Sequence, residues 1–139
     1  MKIPPSIKVY GDINYRDENC RKERVEQKEF FARLKEHRPH IHEIALHPKN
    51  EGKRTLWQQR EDKEMGSLTT GAPDILVPAG VSFLCELKRI DIQESTVRKK
   101  QIKYLLDAQE YGAFVCLALG ADNAWLAFLD WERLHLKNS

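Results

Sequence analysis

The chain has 139 residues with 23 Lys and Arg against 21 Asp and Glu, a net charge of +2. That length suits one domain with a modest core, and the near-neutral balance, +3 before residue 71 and −1 after it, excludes a protein that binds nucleic acid through bulk basicity. Cys20, Cys85 and Cys116 are odd in number and widely spaced with no Cys-x-x-Cys pair, which fits a reduced, cytoplasmic protein without structural zinc.

Residues 1–20 read as an irregular extension, with turn formers Pro4, Pro5, Gly11, Asp12 and Asn14. No signal peptide core is present, and no apolar run reaches membrane-spanning length. Residues 21 to about 37 read as a highly charged helix, with Val25, Phe30, Phe31 and Leu34 as its apolar stripe and Pro39 ending it. Glu23 and Gln27 are four apart and extend the face that carries Phe30 and Leu34. Residues 41–46 read as a strand, followed by a polar loop. In and after that loop His47, Lys49, Asn50, Lys53, Arg54 and Arg60 form a candidate phosphate-contacting cluster, and Trp57 is a candidate for stacking on substrate. His37, His40, His42 and His47 match no zinc spacing. Residues 58–65 read as a short helix closed by Gly66.

The stretch 74–88 reads as a β-hairpin. Ile75 to Val77 is one strand, Pro78, Ala79 and Gly80 punctuate it, and residues 81–87 return. Asp74, Glu86 and Lys88 stand at the open end of this apolar hairpin, and charges in a core are expensive unless paired or bound to metal. Glu86 and Lys88 share a strand face. A loop of residues 79–81 sets Asp74 opposite Glu86, whereas a two-residue loop pairs Asp74 with Cys85 and sends Glu86 to the other face. The chemistry favours the first register, since two carboxylates beside a lysine make a seat for a hard divalent cation.

After a loop at 91–94, Ser95 is the expected N-cap of a helix over 96–111 that ends at Gly112. Gln101 is the polar member of its apolar face. Residues 113–119 are a continuous apolar strand, expected to be central. Residues 124–129 read as a further strand and 130–136 as a short helix. Trp125, Phe128, Trp131 and Leu134 suit either the core or a subunit interface.

Pro73-Asp74 followed by Glu86-Leu87-Lys88, with Gly71-Ala72 before it and Gln101 and Gly112 after it, resembles the PD-(D/E)xK nuclease superfamily, and within it the virus-type replication-repair nuclease (VRR-NUC) branch. The resemblance covers the second half of the chain and the helix near Glu23. It implies an α/β fold with a mixed central sheet flanked by helices, a restriction-endonuclease-like core. It also implies a magnesium-dependent DNA endonuclease, manganese substituting, acting on branched or junction DNA, with homodimer assembly common among stand-alone members. In this reading Asp74, Glu86 and the Leu87 carbonyl hold the metal, Lys88 orients or deprotonates the attacking water, and Gln101 sits nearby. The acidic residue of the first helix is Glu23, which holds a second metal, or its rival Glu26. The alternative is a nucleic-acid-binding module without cleavage, which has no use for converging carboxylates that repel phosphate.

Overall fold

The computed structural model describes residues 2–48, 55–66 and 71–136. Four strands form one mixed sheet in the order β1-β4-β3-β2. They are β1 (Lys8–Tyr10), β2 (Ile75–Val77), β3 (Phe83–Lys88) and β4 (Phe114–Leu119). β4 runs parallel to both β1 and β3, and only the β2–β3 hairpin is antiparallel. The apolar run of β4 is central, as its lack of alternation requires of a strand covered on both faces.

Strand alternation divides the core in two. Phe83, Cys85 and Leu87 of β3, with Cys116 and Ala118 of β4, face α1 (Glu23–His37) and α5 (Ala121–His135), where Phe30, Leu34, Phe128 and Trp131 close the larger cluster. Leu84, Val115, Leu117 and Leu119 face α4 (Lys99–Glu110) and its Ile102 and Leu105. Glu86 and Lys88 therefore continue the α4 face along β3.

Several local expectations are corrected. The extension at 1–20 contributes β1, whose three residues gain their value from long-range pairing with β4. Residues 41–46 do not form a strand: Pro39 begins the one-turn helix α2 (Pro39–His42), as proline at a first helical position can, and Leu46 makes a single bridge to Leu76. Residues 121–135 form one helix instead of a strand and a short helix. Ala121, Ala124, Phe128 and Trp131 recur at helical spacing, and the small alanines let the helix lie close on the sheet. Phe128 and Trp131 are consequently core residues, while Leu134 is exposed. Ser95 does not cap α4, which begins three residues later than expected. On α1 the buried face is Glu26, Phe30 and Leu34, and Val25 is exposed.

The third helix, α3 (Leu56–Glu64), opens on a Thr55–Gln58 capping box and buries none of its residues, Trp57 and Arg60 included. Lys49, Asn50, Lys53 and Arg54 lie outside the described residues. His42 packs edge-on against Phe31 and His37 against Trp125. Among the described residues no helix is long and apolar enough to cross a membrane.

Candidate active site

The hairpin register is Ile75 to Cys85, Leu76 to Leu84 and Val77 to Phe83. One step further sets Asp74 across from Glu86, the arrangement expected from the longer loop. Gly71 places the chain for this. It has φ +83°, and any Cβ there would collide with the Lys100 carbonyl at the start of α4.

Asp74 is clamped from three sides. Its Oδ2 accepts the Leu87 N–H at 2.8 Å. Its backbone carbonyl accepts Gln27 Nε2 at 3.0 Å and His47 Nδ1 at 2.8 Å. Because a carbonyl only accepts, Nδ1 of His47 carries the proton. Burial raises the Asp74 pKa, against the pull of the Leu87 N–H and of Lys88.

Glu86 and Lys88 are each 2% exposed. Burial, and next the Asp74 charge, push Glu86 up to about 9, with Lys88 opposing. Lys88 Nζ lies 3.3 Å from Glu86 Oε2 and donates to the Thr96 carbonyl at 2.7 Å and to Gln101 Oε1 at 3.2 Å. Gln101 Oε1 also accepts the Arg98 N–H at 2.9 Å, so the side chain that holds Lys88 is itself held by the first turn of α4. Glu86 Oε1 is buried with no hydrogen-bond partner. An acceptor stranded in this way is costly, and a carboxylate pair with an orphaned oxygen is a set of hard donors that suits a divalent cation. Among the described residues no three Asp, Glu, His or Cys side chains converge as ligands, so a cation here would draw on two carboxylates and on backbone or water oxygen.

The two glutamates of α1 part company. Glu23 turns toward the hairpin and accepts the Ser95 hydroxyl at 2.7 Å. Ser95 Oγ in turn accepts the Arg89 N–H at 2.9 Å, fixing Glu23 to the end of β3. Glu26 turns the other way. Its Oε1 accepts the Ala121 N–H at 3.1 Å and pairs with Arg21, so it serves the first turn of α5.

Two clefts meet here. One, of about 210 Å³, is lined by Glu23, Arg24, Gln27, His47, Asp74 and Leu87. The other, of about 350 Å³, has Glu23, Asp74, Lys88, Arg98 and Gln101 in its wall. The structure thus brings Asp74, Lys88, Glu23 and Gln101 into one cleft wall, with Glu86 against Lys88. His47 stands beside Asp74 and lines the smaller cleft, and Arg60 on α3 lines neither cleft. The sequence reading missed Ser95 as the anchor of Glu23 and Gln27 as a clamp on Asp74. For Gln27 its spacing from Glu23 was a usable signal; for Ser95 no local signal exists.

No family model matches the sequence, and no curated protein matches it significantly. The fold is shared with a solved structure described as a VRR_NUC domain protein. The TM-score is 0.68 over 84% of this chain and 92% of the other, at 17% identity. The restriction-endonuclease-like α/β architecture expected from the motif is therefore the one found.

Proposed function

We propose that this chain is a divalent-metal-dependent DNA endonuclease that hydrolyses phosphodiester bonds, selective for branched or junction DNA. The observation that carries the reading is half-buried Asp74 beside buried Glu86 and Lys88, with the partnerless Glu86 Oε1. The fold shared with a VRR_NUC domain protein supports it. A non-catalytic binder gains nothing from two converging carboxylates, which repel phosphate.

Asp74, Glu86 and the Leu87 carbonyl are the proposed ligands, with Glu23 at the rim. A magnesium ion in such a site supplies an acidified water and stabilises charge on the phosphate, and manganese substitutes because the donors are all oxygen. Lys88 cannot swing freely, since the Thr96 carbonyl and Gln101 hold its ammonium beside Glu86. It keeps a positive charge fixed at the cleft, to orient the attacking water and offset charge developing on the phosphate. Gln101 is a positioning residue for Lys88, and Gln27 and His47 are positioning residues for Asp74.

The test is cleavage of a panel of duplex, flap, nicked and four-way-junction DNAs in chelator, magnesium and calcium, with Asp74→Ala as control and binding measured alongside. Cleavage is expected with magnesium, and binding with little cleavage in calcium. Full activity in chelator overturns the metal mechanism, and binding without cleavage in magnesium favours the binding module. For a four-way junction the natural assembly is a homodimer, because paired cuts need two sites related by a two-fold axis. Light scattering with and without junction checks that step.

A further inference from the structure

The two clefts share Glu23 and Asp74 as a common wall, and each carries one arginine: Arg24 in the smaller, Arg98 in the larger. Most other guanidinium groups among the described residues are already engaged. Arg16, Arg21, Arg33, Arg38, Arg89 and Arg133 are tied to carboxylates or backbone carbonyls. Arg24 and Arg98 are exposed, and among the described residues neither guanidinium has an ion pair or a hydrogen bond. They also stand on different elements. Arg24 is the second residue of α1, adjacent to Glu23, and Arg98 precedes α4, three residues before Gln101. A free guanidinium at each side of a carboxylate centre is the arrangement a polyanionic chain requires. Its central phosphate meets a cation held by the carboxylates, and its neighbours need fixed positive charge.

We infer that Arg24 and Arg98 are substrate-positioning residues that hold the phosphates on opposite sides of the scissile bond, so that the cleaved strand runs from one cleft across Glu23 and Asp74 into the other. The inference rests on the nuclease reading above. It adds the first turn of α1 and the entry to α4 to the phosphate-contacting residues expected at 47–60, of which Lys49, Asn50, Lys53 and Arg54 lie outside the described residues. Glu94 also lines the larger cleft, which limits the strand's approach there to the Arg98 side.

The experiment uses the full chain and a fluorescent DNA duplex, with calcium in place of magnesium so that binding is read without cleavage. Each phosphate that is no longer neutralised lowers the slope of log affinity against log salt by about 0.9. Arg24→Ala and Arg98→Ala are therefore each expected to flatten it by that amount, and the double variant by about twice as much. Between 50 and 200 mM salt each variant then loses about 3.5-fold less affinity than wild type. Arg24→Lys and Arg98→Lys retain the slope, and manganese affinity by calorimetry is unchanged in all variants, which separates substrate holding from damage to the centre. Neutral methylphosphonates placed singly on either side of the mapped cut assign each arginine to its phosphate. One side cancels the effect of Arg24→Ala, the other that of Arg98→Ala. Wild-type slopes in both variants, or sensitivity of both to the same phosphate, overturn the inference while wild type still cuts. If wild type neither binds nor cuts DNA with any divalent ion, the nuclease reading itself falls and this inference with it.

Discussion

Replacing Glu86 by glutamine should make the metal-free protein more stable at pH 8. Glu86 is 2% exposed, has one oxygen without a partner, and lies against Asp74. In the folded chain its pKa is pushed up to about 9, while in an unfolded chain it is near that of an ordinary glutamate, about 4.3. The folded state therefore keeps a proton that the unfolded state releases. The stabilisation is complete below about pH 4.3 and is lost as pH rises toward about 9. Across that window the folding equilibrium weakens by up to about tenfold per pH unit, so by up to about three hundredfold from pH 5.5 to 8. Asp74, also raised by burial, contributes with the same sign. Glu29 and Asp130 are held low by Arg21 and Tyr10 and act only at more acid pH. The glutamine of the variant has no proton to lose, and its amide can donate toward Asp74. Urea midpoints in chelator should thus fall with pH for wild type and stay flatter for the variant, crossing before pH 8. Excess magnesium should restore wild type at pH 8, by linkage, and leave Glu86→Gln unmoved. A flat wild-type profile in chelator, or a variant less stable than wild type at pH 8, would refute the claim that Glu86 is buried without adequate compensation.

Three further outcomes are expected. Lys88→Met, chosen to keep the buried volume, should lower single-turnover cleavage by about a hundredfold or more while calorimetric manganese binding stays nearly intact; a wild-type rate would make Lys88 structural. Glu23→Gln should depress cleavage with little change in melting temperature, whereas Glu26→Gln should cost about 1–3 kcal/mol of stability through its bonds to Ala121 N–H and Arg21 and leave activity per folded molecule unchanged. Gly71→Ala should lower both stability and cleavage, because a positive φ and the Lys100 carbonyl both oppose a Cβ there; melting and rate measured together check it.

The hairpin was legible because its chemistry and its geometry agree. Only one register puts Asp74 and Glu86 on the same face, and the turn residues allow it. The apolar run of β4 was legible for a similar reason, since both faces of the strand are covered. The segment 121–135 was not. Ala124-Trp125-Leu126-Ala127-Phe128-Leu129 is a continuous apolar run, and over such a short window strand and helix are indistinguishable by periodicity. What decides is Ala121 and Trp131 beyond its two ends, which complete the helical face against the sheet. Glu23 and Glu26 posed a different difficulty. They lie three apart at the start of α1, and only the tertiary partners, Ser95 for one and the start of α5 for the other, separate their roles. β1 carries no local signal of its own, because three residues pair only once β4 is in place.

The charges of the site also do something for the fold. Along β3 the α4-facing side changes from Leu84 to Glu86 and Lys88, while Phe83, Cys85 and Leu87 face the cluster of Phe30, Phe128 and Trp131. Glu86 is paired in register with Leu117 and Lys88 with Leu119. A one-residue slip of β3 against β4 would exchange the two faces. It would drive Glu86 and Lys88 among the aromatic rings, with no Thr96 carbonyl or Gln101 to receive the ammonium, and turn Phe83 and Leu87 away from their own core. An all-apolar strand would lose far less in that slip. Buried charges that destabilise the correct register by a modest amount penalise the incorrect one by much more, because desolvation without partners is the larger cost. The same two side chains that make β3 expensive to bury therefore help to fix which of its faces is which, and with it the position of Asp74 across the hairpin.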